Sequence, residues 1–232
     1  MSEAAVFAKG LSKSFGRRWA LIDVGFEASW GSVVGVAGRN GSGKSTLLRL
    51  LATQLRPDAG DASVAGHSLR HARDAVRTQT ALLGHESCLY PGLTALENLR
   101  VTARFLNTDT SRATLTRALE TFELGERADD VVAGFSAGMT KRLSLARHRL
   151  KPARVVLLDE PFSALDPRGF RLVESIVADV RDAGGCVLMA THLLGRAEQL
   201  CDRAILLDAG RIAWSGPAAE LSQAAGERGG PE

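Results

Sequence analysis

The run GRNGSGKST, residues 38–46, fits the spacing G-x-x-x-x-G-K-[ST] at Gly38, Gly43, Lys44 and Ser45. Glycines at that spacing let backbone N–H groups converge on phosphate oxygens, and a helix starting there adds its partial positive charge. Lys44 would reach the β- and γ-phosphates as a point charge, and Ser45 would ligate Mg²⁺ through its hydroxyl. The whole stretch, Gly38, Arg39, Asn40, Gly41, Ser42, Gly43, Lys44, Ser45 and Thr46, therefore reads as a nucleotide site. Much later, RVVLLDEP closes an apolar run with Asp159 and Glu160. Asp159 suits the outer sphere of the Mg²⁺ held by Ser45. Glu160 is placed to orient and polarise a water toward the γ-phosphate. MATHLL puts His192 at the end of the next apolar run. A lone His is more often structural, but at the shared sheet edge a contact to the γ-phosphate or the attacking water is the better reading. One more stretch, FSAGMTKRLSLAR at 135–147, runs from Ser136, Ala137 and Gly138 into a basic amphipathic helix. That is a second phosphate-facing helix start, with Lys141, Arg142 and Arg147 read as a solvated face.

These residues need a scaffold that brings strand ends together. GSVVGVAG (31–38), RVVLLDE (154–160) and CVLMATH (186–192) read as buried strands, and STLLRLLATQL and RLVESIVADV as helices. Continuous apolar strands alternating with helices predict a parallel sheet covered on both faces, with ligands at the carboxyl ends of its strands. The first thirty residues alternate instead, as exposed antiparallel strands do. AILLDAGRIAWSG predicts a hairpin turning at Ala209-Gly210. Residues 86–150 are predicted mostly helical and read as a subdomain inserted into an α/β core made of 1–85 and 151–232, with a frayed tail at AAGERGGPE.

The 232 residues are 45% hydrophobic and 24% charged, as expected of a well-cored globular chain. No apolar run approaches the roughly 20 residues of a membrane span, and the N-terminus lacks a signal-peptide layout, which predicts a cytoplasmic chain. Net charge is +3, with only 5% aromatics and no basic stripe, so no nucleic acid is expected as a partner. Cys88, Cys186 and Cys201 stand apart and read as reduced thiols.

The order strand, phosphate loop, helical insert, small-residue loop, LLDEP, SALD, TH resembles the nucleotide-binding subunit of ABC transporters over nearly the whole chain. The resemblance implies an α/β P-loop NTPase core with an antiparallel β edge and an inserted helical subdomain, a single domain over 1–232. It also implies ATP and Mg²⁺ as cofactors. By the same resemblance two subunits dimerise head to tail, and Ser136, Ala137, Gly138 and Met139 of one cap the ATP bound by Lys44 of the other. Two phosphate-facing loops are then needed because each site is split. Phe15 falls where the family stacks an aromatic on adenine, a core aromatic being the alternative. Asp166 matches the loop that links the two sites across the dimer, and Glu160 and His192 match the catalytic pair. The implied partners are separate transmembrane permease subunits and a second ATPase copy or a paired ATPase subunit. The implied place is the cytoplasmic face of the inner (cell) membrane, held peripherally.

FSAGM departs from the family's Leu-Ser-Gly-Gly-Gln, and Met139 removes an amide side chain. His85 stands where the family usually has a Mg²⁺- and water-contacting Gln. Imidazole can bind metal or water, though its length and proton count differ, and His85 is carried as a candidate metal ligand beside Ser45 and Asp159. The segments LGH…LT…ENL and RADD…FSAGMTKRLSLAR look like those of haem exporter ATPases of cytochrome c maturation. The expectation is the ATPase of such a haem exporter. The alternative is the ATPase of a drug, lipid or polysaccharide efflux transporter. A ribosome- or DNA-directed ABC ATPase would carry two nucleotide domains or a long coiled-coil insert. A non-hydrolysing module is disfavoured by Glu160 and His192.

Overall fold

The computed structural model describes residues 4–227. The chain falls into two compact units. The α/β unit takes the chain up to Gly84, Ala153–Pro161 and Val177 onward; the helical unit takes His85–Pro152 and Phe162–Ile176. The sequence pattern predicts 162–176 as part of the core, within 151–232. In the structure they cluster with the helical unit, and within the segment Phe162 and Phe170 meet edge to face at 5.2 Å.

The α/β unit holds two sheets. In the antiparallel one, β1 (Val6–Phe15) lies between β2 (Arg18–Ala28) and β4 (Ala59–Val64), and β5 (His67–Ser68) follows β4. Buried and exposed residues alternate along β1 and β2, the mark of strands with one wet face. In the other, β3 (Val33–Ala37), β8 (Cys186–Thr191), β7 (Val155–Asp159) and β6 (Thr80–Leu83) run parallel. β9 (Arg203–Asp208) is parallel to β3 on its other side and pairs antiparallel with β10 (Arg211–Pro217). Every residue of β3, β7 and β8 is buried, as a sheet covered on both faces requires. The β9–β10 turn is Ala209-Gly210, with φ of 43° and 80°, the pair of left-handed residues that a twisted hairpin favours.

The short helix α1 (Lys44–Leu51) gives Leu47, Leu48, Leu50 and Leu51 to the core, all fully buried. Each contributes about 1.5–3 kcal/mol by burial. They join Leu11, Leu21 and Val24 of the antiparallel sheet and Val34, Leu157 and Leu188 of the parallel one in one cluster. The helix that begins with the phosphate-loop lysine is thus anchored by its apolar face. A second short helix, α2 (Arg73–Gln79), leads into β6, and α7 (Leu194–Leu200) and α8 (Leu221–Gly226) complete the unit. Ala224 and Ala225 are buried in α8, so the predicted frayed tail is helical there; 228–232 lie outside the described residues.

The helical unit contains α3 (Ala95–Phe105), α4 (Arg112–Thr121), α5 (Ala137–Arg149) and the first part of α6 (Pro167–Asp182). Helix α3 opens with a capping box: Thr94 Oγ1 accepts from Glu97 N–H, and Glu97 Oε2 accepts from Thr94 N–H. Asn98 is 2% exposed. Its amide donates to the Tyr90 and Thr94 carbonyls and its Oδ1 accepts from Tyr90 N–H, fastening the preceding loop. Among the described residues no helix is long and apolar enough to cross a membrane.

Candidate nucleotide site

The phosphate loop spans the gap between β3 and α1, and its glycines are there for space as much as for conformation. Gly38 has φ 146°, and a Cβ on it would lie 2.3 Å from the Leu207 carbonyl oxygen. Gly43, at φ 110°, would meet the Ala20 carbonyl at 2.5 Å. From behind, the β9–β10 turn braces the loop: Gly210 N–H donates to the Ser42 carbonyl at 3.1 Å and Ile22 N–H to the Gly210 carbonyl at 2.8 Å. The sequence predicts Gly210 as part of the hairpin turn, and the structure adds its contact with the phosphate loop.

Lys44 is 6% exposed. Its ammonium donates to the Gly38 carbonyl at 2.7 Å and the Arg39 carbonyl at 3.2 Å. Burial lowers its pKa from the usual lysine value, with the charges of Glu160 and Asp159 working against that fall. Glu160 Oε1 stands 3.9 Å from Lys44 Nζ, and Glu160 Oε2 stands 2.9 Å from His192 Nδ1. One carboxylate therefore lies between the phosphate-loop lysine and the histidine that follows β8. Glu160 is aimed there by a left-handed backbone, φ 46°, held by its N–H on the Ala190 carbonyl at 2.9 Å. For a residue with a Cβ that conformation costs about 1–2 kcal/mol, a strain of the kind concentrated at functional sites.

Asp159 is 1% exposed, and its Oδ1 has no hydrogen-bond partner. Ser42 Oγ in the loop is likewise buried without one. Unpartnered buried acceptors cost stability, so their presence here fits a site that completes its bonding with a ligand. Among the described residues no three His, Cys, Asp or Glu side chains converge as a metal site. Ser45 and Asp159 could supply part of a cation's shell only if a nucleotide supplied the rest. Phe15, at the end of β1, is 53% exposed, which removes the core alternative. Lys13 Nζ lies 5.6 Å from its ring centre. Arg18, three residues on, reaches the phosphate loop: its guanidinium lies 3.9 Å from where a Cβ of Gly41 would be.

The helical unit carries the remaining candidates. Ser136 caps α5, its Oγ accepting from Met139 N–H at 3.2 Å, and is exposed. Gly138 lies against the Ala164 carbonyl, 3.2 Å from where its Cβ would be. The expected solvated face of α5 is corrected by the structure. Lys141 is buried, Arg147 donates to the Cys88 carbonyl, and Arg142 pairs with both Glu123 and Asp166. Arg142 thus ties the helix behind Ser136–Met139 to the Asp166 loop at 3.0 Å, a role that no sequence spacing announced. Asp166 also accepts from Gly169 N–H at 2.7 Å; that bond first, then Arg142, holds its carboxyl below the usual range. His85 stands exposed in the bend after β6.

A family profile described as ABC transporter matches residues 21–163. The chain is 38% identical over 228 residues to the daunorubicin resistance ATP-binding protein DrrA3 of Streptomyces coeruleorubidus, covering 97% of this chain and 72% of that protein. It is 33% identical to the Nod factor export ATP-binding protein I of Bradyrhizobium diazoefficiens, covering 96% of this chain and 74% of the other. A solved ATP-binding subunit of an ABC transporter superposes with a TM-score of 0.83 at 30% identity, covering 97% and 95% of the two chains. A dimeric ATP-binding cassette bound to ADP and Pi shares the fold, with a TM-score of 0.82 at 24% identity, covering 92% of this chain and 98% of that one. The chain belongs to the ABC transporter family, and it is an ATP-binding, ATP-hydrolysing, transport-coupled member. The haem-export expectation is not supported by these relatives, which fit the efflux alternative better.

Proposed function

We propose that this chain is the ATPase subunit of an efflux transporter for a drug, lipid or polysaccharide. The observation that carries the chemistry is the single carboxylate of Glu160 lying between Lys44 and His192. The efflux assignment is supported by relatives named for drug resistance and Nod factor export.

ATP enters with its adenine on Phe15 and its phosphates on the loop from Gly38 to Thr46. Lys44 exchanges the Gly38 and Arg39 carbonyls for phosphate oxygens, a bond between charged groups replacing two to neutral ones. Glu160 polarises a water toward the γ-phosphate, and His192 holds Glu160 and contacts that phosphate. Ser45 and Asp159 would hold Mg²⁺, which neutralises charge on the phosphates when bound; the unpartnered Asp159 Oδ1 fits that ion. His85 is a further candidate ligand. Ser136, Ala137, Gly138 and Met139 of a second ATPase subunit cap the same ATP, and Asp166 links the two sites. ATP binding closes the pair and hydrolysis reopens it, moving separate transmembrane permease subunits at the cytoplasmic face of the cell membrane.

The test is Glu160→Gln, which keeps size and removes the base. Steady-state phosphate release should fall by about a hundredfold or more. Light scattering in Mg-ATP should show a dimer, and detergent pull-down should recover polytopic membrane proteins. A variant that stays monomeric in saturating Mg-ATP would sink the split site. Recovery of ribosomal or DNA-repair proteins instead would sink the efflux reading.

A further inference from the structure

A second concave site lies in the α/β unit, built from the turn after α1 and the segment between β5 and α2. It is a cavity of about 300 Å³ lined by Arg56, Pro57, Leu69, Arg70, His71 and Arg73. Leu69 is 1% exposed and gives the cavity an apolar wall, while three arginines line the rest of it with Pro57 and His71.

The acids beside these arginines are all engaged elsewhere. Asp58 bonds to Lys13 Nζ and Ser14 Oγ, each at 2.7 Å. Asp61 accepts from Ala62 N–H and from Ser68 Oγ. Asp74 pairs with Arg77 at 2.7 Å. Each of two guanidiniums is pinned by one backbone carbonyl: Arg70 Nε donates to Gly60 at 2.8 Å, and Arg73 Nη2 donates to Thr53. A guanidinium has five N–H donors, so most of those on Arg56, Arg70 and Arg73 remain to be satisfied by solvent or a ligand. Burial first, then the positive charges of Arg56 and Arg77, pull Arg73 below its ordinary value, with Asp74 working against that fall.

Three arginines line one hollow, and the neighbouring Asp58, Asp61 and Asp74 each bond to other groups, so the hollow is a receptor for compact negative charge. We propose that this cavity is an anion site, separate from the phosphate loop, that takes a small ligand carrying one or more phosphate groups. Forked guanidiniums match phosphate oxygens bidentately, and the volume lies at the small end of ligand pockets. The phosphate can belong to a free metabolite or to a lipid headgroup.

The probes are inorganic pyrophosphate, by titration calorimetry, and vesicles of equal parts phosphatidylglycerol and phosphatidylcholine, by co-sedimentation. The full chain is used with Lys44→Ala, to silence the phosphate loop. The double variant Arg56→Gln/Arg70→Gln is compared with a control neutralising two exposed arginines outside the cavity lining, Arg171→Gln/Arg211→Gln. Arg73 is left alone because it caps Thr53, whose φ is 59°. Removing two charge-assisted contacts should weaken binding by about tenfold or more, and the control pair should not. Pyrophosphate binding lost in this pattern supports the site with a soluble ligand; vesicle binding lost in this pattern supports it with a headgroup. If neither probe binds, or if both arginine pairs matter equally, the proposal is overturned. Thermal melting of both double variants checks that the fold survives.

Discussion

The α/β unit and the helical unit solve different problems with the same chain. In the α/β unit, reactive groups sit where backbone geometry is tight: Gly38 against the Leu207 carbonyl, Gly43 against Ala20, Glu160 in a left-handed turn. In the helical unit the polar residues of the ENL and RADD segments mostly hold helices and loops. Thr94 and Glu97 cap α3, Asn98 fastens its loop, Arg127 pairs with Asp130 at 3.0 Å, and Arg112 with Asp129 at 2.6 Å. The segments ENL and RADD, which suggested haem export, are therefore scaffold. Capping boxes and surface ion pairs stabilise a fold whatever is transported, so they carry no information about cargo.

That contrast can be broken in three ways, of decreasing effect. Gly38→Ala must displace the Leu207 carbonyl or the loop, and ATP affinity should fall by about tenfold to a hundredfold. Fluorescent-nucleotide titration measures it, and unchanged affinity would mean the loop is not held as tightly as its contacts require. Thr94→Ala should do the reverse, costing about 1 kcal/mol in urea unfolding while nucleotide affinity stays put. A loss of affinity there would show the helical unit feeding into ATP binding itself. The smallest effect concerns the β edge that carries Phe15. The bond to Lys13 first, then those to Ser14, bring the Asp58 pKa down from 3.8 to about 2. A carboxyl depressed on folding stabilises the fold above its unfolded pKa, and that contribution fades as pH falls from 3.8 through about 2. Asp58→Asn should flatten acid unfolding in that window. An unaltered acid limb would show that Asp58 contributes nothing.

Much of the α/β site was legible because its signals are local. A glycine spacing between a strand and a helix, and acids just past an apolar strand, are read within a few residues. The Arg142 bridge was not legible, since Glu123 and Asp166 lie 19 and 24 residues away and a basic residue on a helix usually faces water. Nor was the arginine cavity. Arg56, Arg70 and Arg73 are scattered along the sequence, and only the fold of the turn after α1 against the start of α2 makes them neighbours.

By itself the sequence determined which groups could do chemistry: Lys44, Asp159, Glu160 and His192, with glycines where a loop must admit phosphate. Composition and strand pattern also determined the parallel sheet, because burial on both faces leaves a continuous apolar run. Only the tertiary structure decided that Glu160 stands between Lys44 and His192, that Arg142 braces the Asp166 loop, and that three arginines share one cavity. The reason is physical. Local propensity and pattern act over a turn or a strand, whereas distances between charged side chains depend on how distant segments pack, and packing is set by the whole core at once.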